Sequence, residues 1–383
     1  MFIFSSLTRH AALFILFWFT VTCVHAEALM PSPPKLAAKS YVLMDFDSGR
    51  FIAENNPNER MDPASLTKIM TAYVIFNELK NNNIRMDDKV HISEKAWRME
   101  GSRMFVEVDK EVPVEELLKG LVIQSGNDAS VALAEHVAGS EEAFASLMNK
   151  HAKRLGMKNT HFVNATGLPD KDHYTTAHDL ALLAQALIRD FPEQYKLNSQ
   201  KEYRYNGITQ YNRNKLLWRD PSVDGVKTGH TNAAGYCLVA SAKRDGMRLI
   251  SVVMNTASEK ARANESQKLL KYGFRFFSTH RLYEANKPLT NLPIWKGESD
   301  KLPLGLAKAL YITIPRGQYD NLKATMKVDE TIVAPVEKGQ EFGTVNVSLD
   351  GKQIAEQPLI SLKAVAEGGL FTRLKDTVLM LVQ

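Results

Sequence analysis

The chain has 383 residues, 44% of them hydrophobic and 24% charged, with 21 glycines and 15 prolines. This composition excludes a collagenous, low-complexity or wholly disordered chain, and the length suffices for two or three domains that each bury a core. The net charge of +5 is spread without a run of like charges, so no nucleic-acid partner is implied; a mildly basic surface tolerates an anionic lipid or polymer and says no more.

Residues 1–26 read as a secretory signal. Arg9 and His10 precede the apolar run Ala11 to Val24, and Val24-His25-Ala26 has the small residues of a cleavage site. The run is short of the about 20 residues of a comfortable transmembrane span. Thr20-Val21-Thr22 lacks the residues that would make Cys23 a lipoprotein cysteine. Cleavage leaves Cys237 alone, so the exported protein has no intramolecular disulfide.

Residues 27–39 are Pro-rich and predict a mobile arm. Ser40 to Ala53 predicts a hairpin around Asp47-Ser48-Gly49-Arg50. From Pro63 to Asp190 the signals are mostly helical, with apolar stripes over Leu66 to Leu79, Glu115 to Ile123, Asn127 to Val137 and Ala177 to Ile188. Gly235 to Lys243 and Met247 to Asn255 flank the turn Arg244-Asp245-Gly246, a strong hairpin signal, and Lys260 to Phe277 predicts a helix packed on that sheet. Strands, a helical block, strands and a helix in that order predict an α+β domain over residues 27–285, with an antiparallel sheet. The texture then changes. Short alternating runs at Leu310 to Ile314, Lys323 to Val328, Thr331 to Val336, Phe342 to Leu349 and Pro358 to Val365 predict a small all-β module over residues 286–366. Residues 367–383 form an amphipathic tail. Leu370, Phe371, Leu374, Val378, Leu381 and Val382 make one apolar face, and fourteen residues at about 1.5 Å each reach roughly 21 Å, short of a hydrocarbon core of about 30 Å. Lying in a membrane interface is feasible; spanning one is not expected.

Three small motifs carry the chemistry. Pro63-Ala64-Ser65-Leu66-Thr67-Lys68 places Ser65 and Lys68 one turn apart at the start of an apolar-periodic helix. A serine hydroxyl becomes a nucleophile when a base takes its proton, and lysine can be that base when burial or a neighbouring cation lowers its pKa. Alone, the pattern equally describes a capping serine and a solvated lysine; Ser32-Pro33-Pro34-Lys35 matches it too, but its prolines preclude a helix interior. Ser125-Gly126-Asn127 sits in a turn and brings together a hydroxyl and an amide, suited to proton relay and to holding a substrate amide. Lys227-Thr228-Gly229, before the hairpin, offers a cation and a hydroxyl to a carboxylate from an edge strand, with Gly229 allowing close approach of a substrate backbone.

The three motifs in this order are far more specific than any one of them, and the chain resembles the penicillin-binding serine enzymes that share a fold with serine β-lactamases. Within that group it looks like a low-molecular-mass serine D-alanyl-D-alanine carboxypeptidase. The likeness extends to Tyr272-Gly273-Phe274-Arg275-Phe276-Phe277, the β-rich module and the tail. The resemblance implies an acyl-enzyme at Ser65, with Lys68 as general base and Ser125 passing a proton to the leaving D-alanine. Asn127 holds the substrate amide and Lys68. Lys227 lowers the pKa of Lys68 and, with Thr228, binds the terminal carboxylate. Backbone N–H groups of Ser65 and His230 form the oxyanion hole. Arg262 supports carboxylate recognition, against the alternative of a surface helix charge. Asp179 and Arg213 form a structural ion pair. No cofactor or metal is implied. The implied partners are peptidoglycan stem peptides ending in D-alanyl-D-alanine, β-lactams as inhibitors, and a membrane surface, with the enzyme exported to the periplasmic face of the cytoplasmic membrane.

An endopeptidase acting on crosslinks shares all three motifs. A class A β-lactamase deacylates through a glutamate, and no Glu occurs between Ala143 and Pro192, where it would fall. His173 and His178 are five apart, not the four of a His-Glu-x-x-His zinc helix. A non-catalytic wall-binding protein would have lost Ser65 or Lys68.

Overall fold

The structure is a computed structural model and describes residues 31–329 and 331–381; the signal reading on residues 1–26 lies outside them. Strands β1 (Ser40–Asp45) and β2 (Phe51–Asn55) form the expected hairpin. Strands β3 (Val223–Thr231), β4 (Gly235–Arg244) and β5 (Met247–Thr256) complete an antiparallel sheet in the order β2-β1-β5-β4-β3. The sheet is buried on both faces, and its period-2 alternation feeds two cores. On β1, Val42 and Met44 join the core of the helical block, while Tyr41 and Leu43 join a second core with Leu269, Leu270 and Tyr272 of helix α7, introduced below.

The helical block fills the chain between β2 and β3. A 3-10 turn, Ala64–Thr67, leads into α1 (Lys68–Lys80), whose residues are all buried from Lys68 to Phe76. A helix buried all round belongs at the centre of a block, and α1 is packed by the others. Helix α2 (Val114–Lys119) widens into a π turn over Gly120–Gln124 and ends at Ser125, which has φ 68°. Helices α3 (Asn127–Ala138), α4 (Glu141–Arg154) and α5 (Ala177–Asp190) follow. A one-turn helix α6 (Leu216–Arg219) precedes β3, and α7 (Glu259–Phe276) covers the outer face of the sheet. This is the expected α+β arrangement. Two short ladders were not anticipated: Lys89–His91 with Glu111–Pro113, and Glu202–Tyr205 with Ile208–Tyr211.

The β-rich module opens with β6 (Phe277–Tyr283), which pairs with β9 (Leu310–Pro315). Strands β7 (Pro288–Pro293), β8 (Lys301–Gly305), β10 (Leu322–Val328), β11 (Glu341–Leu349) and β12 (Lys352–Ser361) form a second sheet in the order β7-β8-β12-β11-β10. Thr331 to Val336 is not a strand. Val333 and Val336 make only isolated bridges, because Pro335 has no N–H for a ladder. The last strand starts at Lys352 rather than Pro358 and stops at Ser361.

A buried carboxylate ties the module to the β1–β2 turn. Asp45 accepts from the Ser48 amide (2.8 Å) and hydroxyl (2.7 Å) and from the Thr279 hydroxyl (2.7 Å), and Ser48 also meets Thr313 at 2.7 Å. Asp45→Ala leaves these donors unpaired and should cost about 3 kcal/mol, read as a lower unfolding midpoint in denaturant. An unchanged midpoint would show that the junction contributes nothing.

Candidate active site

Three elements converge on one cleft of about 430 Å³, lined by Ser65, Ser125, Asn127, Thr228, His230 and Arg262 among others. Ser65 sits in the 3-10 turn with α1 beginning at Lys68, so the two side chains share a face as the spacing predicts. The turn is held from below: Ala64 has φ 47°, and Gly167 (φ +83°) packs so tightly against it that an added Cβ would lie 1.8 Å from the Ala64 carbonyl oxygen. A glycine is required there on both counts.

Lys68 is 1% exposed, and its Nζ has three neighbours: Asn127 Oδ1 at 2.7 Å, the Thr166 carbonyl at 2.7 Å and Ser65 Oγ at 3.2 Å. A neutral amine has two N–H donors and one lone pair. The two short contacts are to groups that can only accept, so they take both N–H donors. The lone pair is left for the Ser65 hydroxyl proton. Burial first, and then the charge of Arg213, pull Lys68 down to about 7, against the pull of Asp128 and Glu141.

Ser125 is 2% exposed and accepts from Lys227 Nζ at 2.9 Å; the same ammonium also donates to the Thr228 carbonyl at 3.1 Å. Lys227 is driven well below the ordinary lysine range, by burial and then by Lys68, Arg213 and Arg262. The resemblance made Lys227 the cause of the low Lys68 value. Burial and Arg213 lead at Lys68, and the repulsion between the two buried ammoniums belongs to the pair.

Asn127 reaches Lys68 as expected, and its Nδ2 donates to the Glu100 carbonyl at 2.6 Å, which ties the base to the loop before α2. Asp128 fixes that loop by accepting from the amides of Met104, Phe105 and Val106. Lys227, Thr228 and Gly229 lie on β3, an edge strand of the sheet as expected. Gly229 lines the cleft and also packs against the turn beneath it. A Cβ there would lie 3.0 Å from the Pro63 carbonyl, so the glycine makes room for the Ser65 turn. His230 is exposed and stacks on Tyr236 with ring centroids 3.9 Å apart. Arg262 is 4% exposed, not a surface charge, and donates from Nη1 to the Gly229 carbonyl at 3.1 Å.

Asp179 and Arg213 do not pair. Asp179 accepts from the Asn159 amide and Thr160 hydroxyl, both at 2.8 Å, and braces that segment, while Arg213 stands on the cleft wall. His173 and His178 are turned to different partners. His173 Nδ1 accepts from the Val163 amide (3.2 Å), so its Nε2–H donates to Thr67 Oγ1 (2.8 Å), and His178 stacks on Phe51. Thr166 and Gly167 were missed, and Gly167, in Asn164-Ala165-Thr166-Gly167, gives only a turn signal; Arg213 was singled out, but as a partner for Asp179 rather than as a charge on the cleft wall.

The model of the family described as D-alanyl-D-alanine carboxypeptidase matches residues 27–258. The chain belongs to this family. A second model, the penicillin-binding protein 5 C-terminal domain, matches residues 277–367. Curated relatives of this carboxypeptidase family include two Escherichia coli proteins. The D-alanyl-D-alanine carboxypeptidase DacC is 46% identical, covering 98% of this chain and 96% of its own. The D-alanyl-D-alanine carboxypeptidase DacA is 45% identical, covering 94% and 92%. The crystal structure of penicillin binding protein 5 from Haemophilus influenzae superposes with a TM-score of 0.85 at 44% identity, covering 88% of this chain and all of that one.

Proposed function

We propose that this serine carboxypeptidase removes the terminal D-alanine from peptidoglycan stem peptides through an ester on Ser65, and that β-lactams acylate the same oxygen. The observation that carries the reading is the position of Lys68 Nζ, held by Asn127 Oδ1 and the Thr166 carbonyl at 2.7 Å and set 3.2 Å from Ser65 Oγ, so that its neutral form can take the hydroxyl proton. Ser65 Oγ attacks the penultimate D-alanine carbonyl as Lys68 takes its proton. The oxyanion is met by the backbone N–H groups of Ser65 and His230. Ser125 delivers a proton to the leaving amine, the C–N bond breaks, and water then cleaves the ester. The terminal carboxylate sits by Lys227 and Thr228, near Arg262, and its charge favours the ammonium form of Lys227 on binding.

Among the described residues, Glu259 lines the cleft but pairs with Arg262 at 3.6 Å. Glu141, a buried carboxylate whose charge acts on Lys68, accepts from the Ala165 amide at 3.0 Å and pairs with Lys95 at 3.0 Å. A penicilloyl ester is therefore long-lived. Mass spectrometry after mixing with penicillin, and with a peptide ending in D-alanyl-D-alanine, tests the reading. The expected result is one persistent adduct on Ser65, release of D-alanine, and neither with Ser65→Ala. An adduct elsewhere, or a labelled Ser65→Ala protein, overturns it.

The location is part of the same proposal: export directed by residues 1–26 and attachment to the outer face of the cytoplasmic membrane through the tail. Helix α8 (Leu370–Met380) supports this. Phe371 is 91% exposed, and Leu370, Leu374, Val378 and Leu381 are exposed beside it. Among the described residues, no helix is long and apolar enough to cross a membrane.

A further inference from the structure

At the end of α7 away from the cleft lies a depression of about 380 Å³, lined by Arg244, Asp245, Lys271, Phe274, Arg275 and Arg316. Arg262 at the cleft and Arg275 here are thirteen positions apart on α7, about 20 Å at 1.5 Å each, and the two sites share no residue. The lining comes from three separate segments: the β4–β5 turn, the last turns of α7, and Arg316, which follows β9. The first two belong to the α+β domain and the third to the β-rich module, so an occupant touches both.

Four of the six lining residues are cations and one is a carboxylate. Two of the cations are fixed in place. Arg244 donates from Nη2 to Asp220 Oδ2 (2.5 Å) and from Nε to Ser222 Oγ (3.0 Å), and its guanidinium lies 4.7 Å from the centroid of the buried Phe274 ring. Arg316 donates from Nε to the Phe274 carbonyl (3.1 Å), and its amide donates to the Phe276 carbonyl (2.9 Å). Lys271 and Arg275 are exposed and one turn apart on α7. Among the described residues, Lys271, Arg275 and Arg316 pair with no carboxylate. A helix C-terminus favours cations, which accounts for Arg275. It does not account for Arg244 and Arg316, which other segments bring to the same place. Like charges gathered in this way repel one another, and an anion between them relieves the repulsion.

We propose that this depression binds a phosphate ester, which bridges the α+β domain and the β-rich module. Guanidinium groups meet phosphate oxygens in pairs, and the Nη groups of Arg316 make no other bond among the described residues; Lys271 adds a point charge. Asp245 repels a phosphate but accepts from a hydroxyl, so the ester carries a hydroxyl-bearing substituent such as glycerol. The space fits this too. It equals roughly a dozen waters at about 30 Å³ each, more than a bare phosphate fills. A free ester and a lipid headgroup share this chemistry.

The test uses the chain without its first 26 residues and glycerol 3-phosphate as probe, with ionic strength held constant by chloride. Binding should saturate, and the unfolding midpoint should rise, because the ester binds the folded chain alone. Lys271→Gln with Arg275→Gln should weaken binding about tenfold or more, as charge-assisted contacts are lost. The ester should also shield Arg316 from modification by phenylglyoxal, read by mass spectrometry, which needs no variant. Vesicles of phosphatidylglycerol separate the two sources. Vesicle binding that falls in the double variant assigns a lipid headgroup, and glycerol 3-phosphate binding that falls while vesicle binding holds assigns a free ester. Retention of both in the double variant overturns the proposal. So does equal labelling of Arg316 with and without the ester, or a midpoint that chloride raises as far at the same ionic strength.

Discussion

Lys68→Arg should lower the acylation rate about a thousandfold, within the range a general base contributes, and should leave no pH-dependent rise. The guanidinium stays protonated across the accessible range and cannot accept the Ser65 proton. In the wild-type enzyme the working form of Lys68 is the neutral amine, and its pKa is lowered to about 7. The sign follows: below that value Lys68 holds its proton and the base is absent, so acylation climbs as pH rises through about 7 and levels off above it. Arg213 is the second cause of the lowering after burial, so Arg213→Gln should move the midpoint upward. Stopped-flow acylation by a chromogenic β-lactam across pH reads all three proteins. A Lys68→Arg enzyme with wild-type rates, or a wild-type rate flat from pH 5 to 9, would remove Lys68 from the role of base.

The motifs were legible because each is local. Ser65 and Lys68 are three apart, Ser125 and Asn127 two apart, and Lys227-Thr228-Gly229 contiguous, so spacing alone implies a shared face, turn or strand. The β4–β5 hairpin was equally plain, with Asp245-Gly246 between two long apolar runs. What escaped was set by tertiary distance. Thr166 becomes an acceptor for Lys68 across 98 residues, and Arg213, read from the sequence as a partner for Asp179, stands on the cleft wall instead. The expected Asp179–Arg213 pair failed for the same reason. The Asp179 carboxylate accepts from the Asn159 amide and the Thr160 hydroxyl, some twenty residues back in the chain, and so is already satisfied. The Lys89–His91 ladder is three residues long with a partner some twenty residues on, too short for any periodicity to register. The hairpin at Asn206-Gly207 did carry a turn signal, but its strands are four residues each and mostly exposed, so no apolar alternation flanked it.

Deleting residues 370–383 should move the mature protein from the membrane fraction to the soluble one while cleavage of small peptides continues. Asp376 Oδ2 accepts from the Lys296 amide at 2.6 Å, and Arg373 pairs with Glu367 at 2.6 Å, so the polar side of the helix is tied to the β-rich module. The apolar side is thereby turned out: Leu370, Phe371, Leu374, Val378 and Leu381 are between 61% and 91% exposed. Val382, the last member of the face read from the sequence, lies outside the described residues. No residue of α8 is buried, so its removal strips no core from the module, and the catalytic cleft draws no residue from it. An outward apolar face on a helix of 11 residues fits burial in a headgroup layer, with Lys375 free to meet anionic lipid. Sedimentation with vesicles of phosphatidylglycerol and phosphatidylethanolamine gives the readout. The full chain without its first 26 residues should pellet, and the truncated one should stay in solution with unchanged kcat/KM on a D-alanyl-D-alanine peptide. A truncated protein that still pellets would place the membrane contact elsewhere, and one that loses activity with a lowered unfolding midpoint would make α8 a structural element of the module instead.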